Sequence, residues 1–153
     1  MLAVDLTKQR PKGVRSETLT LALAELKPNL QKEPAKSLIE SKLYEEVLKS
    51  YYAGKGVVTR ATAGELEYEV EHLRGVVTTD PNQWERLTVT FYVETNEQQA
   101  KVRCTGWGLH VRAMGDRPPE AKAYQNSLYP EYEVALKRHV GELMTHVEAT
   151  LKP

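Results

Sequence analysis

The sequence predicts an α+β fold, a two-layer sandwich in which a curved antiparallel sheet of about five strands carries two helices on one face. Several segments alternate apolar and polar residues with a period of two, and two other segments show helical spacing. The strand segments also follow one another with short connections, which favours antiparallel pairing. The predicted order of elements is therefore β-α-β-β-β-β-α.

The first strand and the first helix are predicted between Ser16 and the glycine pair Gly54 and Gly56. Apolar and small polar residues alternate from Ser16, which indicates a half-buried strand. Pro34 suits the first turn of a helix, where its missing N–H costs little. Residues 35–53 follow without proline or glycine, and the two glycines predict the end of this helix.

Four strands are predicted between residues 57 and 112. The second of them has the clearest pattern in the chain, because only a strand places one set of residues inside and the other in water. Its inward set is Leu66, Tyr68, Val70 and His72, and its outward set is Glu65, Glu67, Glu69 and Glu71. The outward carboxylates predict a solvated face, paired with Lys101 and Arg103 of another strand.

The last strand of this group changes its alternation part-way along. Val102 and Cys104 fit an inward row, but so does Trp107, three residues after the cysteine. A β-bulge at Gly106 or Gly108 would restore the alternation, since glycine admits the backbone angles that bulges often need. We then expect His110 to point outward.

The final helix is predicted from Pro130 to about Thr150. Its apolar residues recur at spacings of three and four, and they are Leu136, Val140, Leu143, Val147 and Leu151. The resulting order of elements is similar to that of helix-grip domains and of small α+β domains of bacterial envelope lipoproteins. The resemblance to helix-grip domains implies a place for an apolar ligand between the sheet and the C-terminal helix.

Composition limits the classes of function. Residues 1–14 are expected to form a flexible arm, and residues 15–153 a single α+β domain. Basic and acidic residues number 21 each, which argues against nucleic-acid binding. No apolar run reaches the length of a membrane span. With one cysteine and no signal-peptide pattern, we expect a cytoplasmic protein, or a periplasmic or envelope protein whose signal segment was removed.

No catalytic, cofactor-binding or metal-binding motif is recognisable. His139, Glu142 and His146 share a helix face, but two turns of helix separate the histidines by about 10.5 Å. That spacing prevents them from binding one metal ion, so we expect a solvated helix flank. Cys104 is expected to be a buried, unreactive thiol. An enzyme built from dispersed residues such as His72, Glu67 and Arg103 is the weakest of the hypotheses.

The aromatic residues favour a recognition surface. The chain has eight tyrosines and two tryptophans against one phenylalanine, and Tyr and Trp are enriched at protein interfaces. The candidate binding residues are Trp84, Tyr92, Trp107, Tyr129 and Tyr132. The leading hypothesis is a non-catalytic protein-binding or assembly module whose partner is another protein or a second copy. The alternative is a helix-grip-like domain that binds an apolar small molecule; its pocket would be lined by Tyr68, Phe91, Trp107 and Leu143.

Overall fold

The fold is the predicted α+β arrangement of an antiparallel sheet and two helical regions. A computed structural model describes residues 15–32, 34–53, 56–62, 65–78, 80, 82–112, 115–126 and 130–153. The strands are β1 (Arg15–Ala22), β2 (Gly56–Thr62), β3 (Glu65–Arg74), β4 (Gln83–Thr95), β5 (Gln99–Arg112) and β6 (Gln125–Asn126). Their order in the sheet is β1-β5-β4-β3-β2, and β6 pairs with β5. The predicted arm at residues 1–14 lies outside the described residues.

The first helical run differs in detail from the single α-helix that the spacing predicts. It consists of α1 (Ala35–Lys42), a π-helical segment (Leu43–Leu48) and α2 (Lys49–Tyr52). Each i→i+5 bond of a π-helix widens the turn by about one residue, so the segment rotates the residues that follow it. Ala53 ends the run in the left-handed region with φ 50°, one residue before the predicted glycine stop.

The core lies between the sheet and the two helical regions. The inward residues of β4 are fully buried, as their alternation predicts, and they are Leu87, Val89, Phe91 and Val93. The C-terminal helix α3 (Pro130–Leu151) contributes the predicted stripe, in which Leu136, Val140, Leu143, Val147 and Leu151 are all buried. Each fully buried Leu or Val side chain stabilises the fold by about 1.5–3 kcal/mol, so α3 is held firmly against the sheet.

The predicted bulge in β5 is wrong. β4 and β5 pair without a register shift from Gln83↔Arg112 to Thr95↔Ala100. The inward row therefore continues from Cys104 through Gly106 and Gly108 to His110, and Trp107 lies on the opposite face.

The two glycines serve close packing instead. A Cβ at Gly106 would lie 3.0 Å from Val140 Cγ2, and one at Gly108 would overlap the hydroxyl of Tyr132. The absent side chains allow α3 to approach the sheet. His110, expected to point outward, packs its ring against Tyr132 with the centroids 5.2 Å apart.

The register of β3 shifts near its end. Leu66, Tyr68 and Val70 are buried as predicted, but the pairing with β4 shifts between Val70 and Leu73. Leu73, rather than the predicted His72, continues the buried row with 2% of its surface exposed. The side chain of His72 lies outside the described part of the chain.

Candidate functional site

The face of the sheet opposite α1 and α3 is the candidate functional site, and we call it the open face. In the described chain both helical regions pack on the inward rows, so the outward rows of the central strands have no helix over them. The outward rows of β4 and β5 meet in register, with Thr88 opposite Trp107 and Tyr92 opposite Arg103. The open face is formed by these two rows and the outward rows of β1 and β3.

Two of the predicted binding residues are accessible on this face. Tyr92 and Trp107 are both half-buried, and four positions of register separate them, or about 13 Å along the strands. The Arg103 guanidinium lies over the Tyr92 ring at 5.1 Å, and the Tyr92 hydroxyl donates to Glu94 at 2.7 Å. Both aromatic rings therefore lie beside polar groups, which can form hydrogen bonds either with a partner or with water.

The other three candidates lie elsewhere. Trp84 is on the same face but only 6% exposed, and the Arg74 guanidinium covers its ring at 5.1 Å. The indole N–H of Trp84 has no hydrogen-bond partner within the described structure. Tyr132 is fully buried under α3. Tyr129 lies outside the described residues. The structure thus brings Trp84, Tyr92 and Trp107 to one face and separates Tyr132 from them.

Charge is segregated across the open face. The outward row of β3 is acidic, as predicted, but its partner is Arg86 of β4 rather than Lys101 and Arg103. Arg86 Nε lies 3.1 Å from a carboxylate oxygen of Glu69 and 3.0 Å from one of Glu71. The predicted pairing is prevented by the strand order, because β4 lies between β3 and β5. The face therefore carries an acidic row on β3 and a basic pair, Lys101 and Arg103, on β5, with Glu94 of β4 opposite Lys101.

A buried carboxylate, missed by the sequence analysis, lies at the start of β4. Glu85 is 0% exposed and points inward. Its carboxylate accepts hydrogen bonds from three successive backbone N–H groups, those of Val76 and Val77 at 3.0 Å and that of Thr78 at 3.1 Å. Burial raises the pKa of Glu85 to about 7, and these three hydrogen bonds oppose that rise.

Glu85 holds a loop rather than facing a substrate. The same loop is held from α3, where Arg138 Nη2 donates to the carbonyl oxygen of Val77 at 3.2 Å. An acid whose pKa lies near neutrality suits proton transfer, but only if it reaches a reacting group. Since Glu85 is fully enclosed, its three N–H partners indicate a structural role. Its position two residues before Leu87, in the same inward row, was the signal that the sequence offered.

The prediction that His139 lies on a solvated helix flank is wrong. His139 is 3% exposed, and its Nε2 atom lies 2.7 Å from the Tyr52 hydroxyl. The first helical run packs against this flank of α3, and the Tyr51 ring meets both His139 and His146 edge-on at centroid distances of 5.7 and 5.6 Å. Burial, with a smaller contribution from the charge of Arg138, lowers the pKa of His139 to about 4.

The single cysteine of the chain lies in the core. Cys104 is fully buried, and burial raises the pKa of its thiol, so it packs as a small apolar group. Within the described residues, no group of three or more His, Cys, Asp or Glu side chains is arranged to hold a metal ion. In the same part of the chain, no helix is both long enough and apolar enough to cross a membrane.

The space between the sheet and α3 is filled with side chains. Tyr68, Phe91 and Leu143 are each 0% exposed within one continuous core, and Trp107 lies on the other face of the sheet. A cleft of about 650 Å³ on the surface is lined in part by Glu17, Tyr51 and His146. Tyr68, Phe91 and Leu143 therefore belong to the packed core rather than to the open pocket that the apolar-ligand alternative requires. No protein-family model matches the sequence, and comparison with curated proteins finds no match.

Proposed function

We propose that this chain is a non-catalytic protein-binding module that recognises its partner through the open face. The observation that carries the proposal is the combination of two half-buried aromatic rings with an acidic row on β3 and a basic pair on β5, on a sheet face that carries no α-helix in the described chain. Tyr and Trp bury large areas at low entropic cost, and they dominate the binding energy of many interfaces. Segregated charge would orient the partner rather than supply most of the affinity.

Trp107 is the expected centre of the interaction. It lies on β5 opposite Thr88, with Thr105 and Leu109 beside it in the same outward row. A central aromatic ring whose neighbouring contacts exclude water has the arrangement of a binding hot spot. Arg103, four residues earlier on the same strand, and Glu69, on β3, would meet groups of opposite charge on the partner.

Substitution of Trp107 by alanine together with Arg103 by glutamate should weaken partner binding strongly and leave the fold intact. The two changes remove the central ring and reverse one charge of the basic pair on β5, and a loss of at least 2 kcal/mol, or about 30-fold in affinity, is expected for a hot-spot residue. The measurement is affinity capture from lysate of the source organism, followed by binding of the purified partner in a calorimeter.

The matched control is Lys49→Glu, a charge reversal of the same kind. Lys49 is on α2, on the helical side of the sheet, and its side chain is 46% exposed, so it tests a surface charge that the open face does not include. A partner held by the native chain and by this control, but lost by the double variant, supports the proposal. A partner retained equally by all three baits, or no reproducible partner, contradicts it.

A further inference from the structure

Strand β1 forms one edge of the sheet in the described part of the chain. In the described chain its only paired strand is β5, and the pairing runs from Arg15↔Gly106 to Ala22↔Gln99 without a shift. The opposite edge, β2, is interrupted by a register shift between Val58 and Arg60. Such irregularities, prolines and charged residues are the usual means by which a free edge avoids pairing with another strand. The segment RSETLTLA of β1 has no proline or lysine, and its two charged residues, Arg15 and Glu17, are confined to its first three positions.

The backbone groups that β1 leaves free can be identified from its register. The Leu23 N–H donates to the Gln98 carbonyl at 2.9 Å, and this pair continues the β1–β5 register. Because hydrogen-bonded pairs alternate in an antiparallel ladder, the odd-numbered residues of β1 direct their N–H and C=O groups toward β5. The even-numbered residues direct theirs away from the sheet, and the ones left free are those of Ser16, Thr18 and Thr20. The N–H of Ala22 points the same way but donates to the Glu25 carboxylate at 3.4 Å.

We infer that β1 pairs antiparallel with the β1 strand of a second copy of this chain, about a two-fold axis through Leu19. The free backbone groups require an extended strand as partner. A second copy fits because a two-fold axis pairs the β1 edges of the two chains with each other, so that the assembly is closed at two copies. A chain with 21 basic and 21 acidic residues also lacks the net charge that keeps like molecules apart.

The side chains of β1 complement themselves in this register. Leu19 lies opposite its own copy on the helical side of the sheet, and Thr18 lies opposite Thr20 of the second copy on the open side. Thr–Thr and apolar pairs across a ladder stabilise it. Glu17 lies opposite Leu21 of the second copy, so no two like charges face each other.

The flank of α3 above β1 fits the same assembly. Gly141 faces β1, since a Cβ placed there would lie 3.5 Å from Glu17 Oε1. Val134 lies seven residues earlier, or about 20° away around the helix, and it is 68% exposed. In the proposed dimer the two α3 helices run antiparallel on the same side of the joined sheet. Val134 and Gly141 then lie on the flank that faces the second copy.

The first test is the oligomeric state of Thr18→Pro. Proline removes an N–H that points away from β5, and edge strands tolerate proline at such positions. Sedimentation at increasing concentration should show a dimer for the native chain and for the control Thr18→Val, and a folded monomer for Thr18→Pro. If the proline variant does not fold, Thr18→Lys with Thr20→Lys replaces it, because the paired lysines would repel across the ladder.

The second test fixes the register. Residues opposite each other in a non-hydrogen-bonded antiparallel pair have Cα atoms about 4.5 Å apart, within the range that a disulfide spans. Leu19→Cys should therefore form a covalent dimer with oxidised glutathione, and Val57→Cys on the β2 edge should not. Cys104, at 0% exposure, is shielded from this reaction.

A native chain that stays monomeric, a Thr18→Pro variant that stays dimeric, or a Leu19→Cys variant without a cross-link each overturns the inference. If the native chain is monomeric but binds an extended peptide, and Thr18→Pro abolishes that binding, the partner of β1 is a foreign strand. The open face is a separate surface. If the chain forms no dimer but still binds a partner through Trp107, only the dimer proposal fails. If it forms the dimer but binds no partner through Trp107, only the open-face proposal fails.

Discussion

Replacing Gly108 with alanine is expected to lower the free energy of unfolding by about 3 kcal/mol, the upper end of the cost of overpacking a core. The new Cβ would overlap the Tyr132 hydroxyl and would also lie 3.4 Å from the Arg86 carbonyl oxygen. Tyr132 is 0% exposed and stacks on His110, so its ring has little space to move. Urea denaturation followed by circular dichroism measures the change.

Two further variants identify the cause. Tyr132→Phe removes the overlapping oxygen and leaves the next ring atom, Cζ, 3.2 Å from the new Cβ. The double variant that combines Gly108→Ala with Tyr132→Phe should therefore be about 2 kcal/mol more stable than the summed effects of the two single substitutions predict. Gly141→Ala is the control, because its Cβ has space and glycine costs a helix about 1 kcal/mol relative to alanine. A harmless Gly108→Ala would mean that Tyr132 does not lie over β5.

Gly108 also shows where sequence reasoning failed. The alternation of β4, of most of β3 and of the α3 stripe predicted the buried residues, because a regular period needs no knowledge of the partner. A glycine in a strand has two explanations, a bulge or the close approach of another element, and the sequence does not distinguish them. The apolar residues Trp107, Leu109 and Val111 favoured a bulge, but they lie on the open face.

The Tyr52–His139 pair was beyond prediction for a different reason. In an uninterrupted α-helix, Tyr52 would lie nine residues, or about 180°, from Leu43 and therefore away from the core. The π-helical segment rotates it inward, where it is 1% exposed and hydrogen-bonded to His139. Nothing in the sequence from Leu43 to Leu48 marks that change of helical phase. The same limit applies to the candidate site: the aromatic candidates were identifiable, but their separation into exposed and buried rings was not.

Glu85 and His139 should make opposite contributions to the pH dependence of stability. Glu85 has a pKa of about 7 in the fold against an ordinary 4.5, so the folded state binds more protons between these values and loses stability as pH rises. His139 has a pKa of about 4 against an ordinary 6.5, so the unfolded state binds more protons and stability is lost as pH falls. Each shift corresponds to about 3 kcal/mol.

In the native protein these two effects should nearly cancel between pH 4.5 and 6.5. The variant Glu85→Gln keeps only the histidine effect, so its unfolding free energy should rise by about 3 kcal/mol relative to the native protein as pH increases from 4.5 to 7. The variant His139→Gln keeps only the carboxylate effect, and its unfolding free energy should fall over the same range. Urea denaturation at intervals of pH gives both curves.

Comparing the two variants separates the contributions of Glu85 and His139 to the pH dependence of stability from those of the other titratable groups. His110 also has a lowered pKa because of burial, and it adds to the acid loss in both variants alike. Arg138, which acts on His139 and anchors the loop that Glu85 holds, is present in both variants. The opposite slopes of the two variants must therefore come from Glu85 and His139 themselves. If the unfolding free energies of both variants varied with pH in parallel with that of the native protein, then neither Glu85 nor His139 would be buried in the protonation state assigned to it.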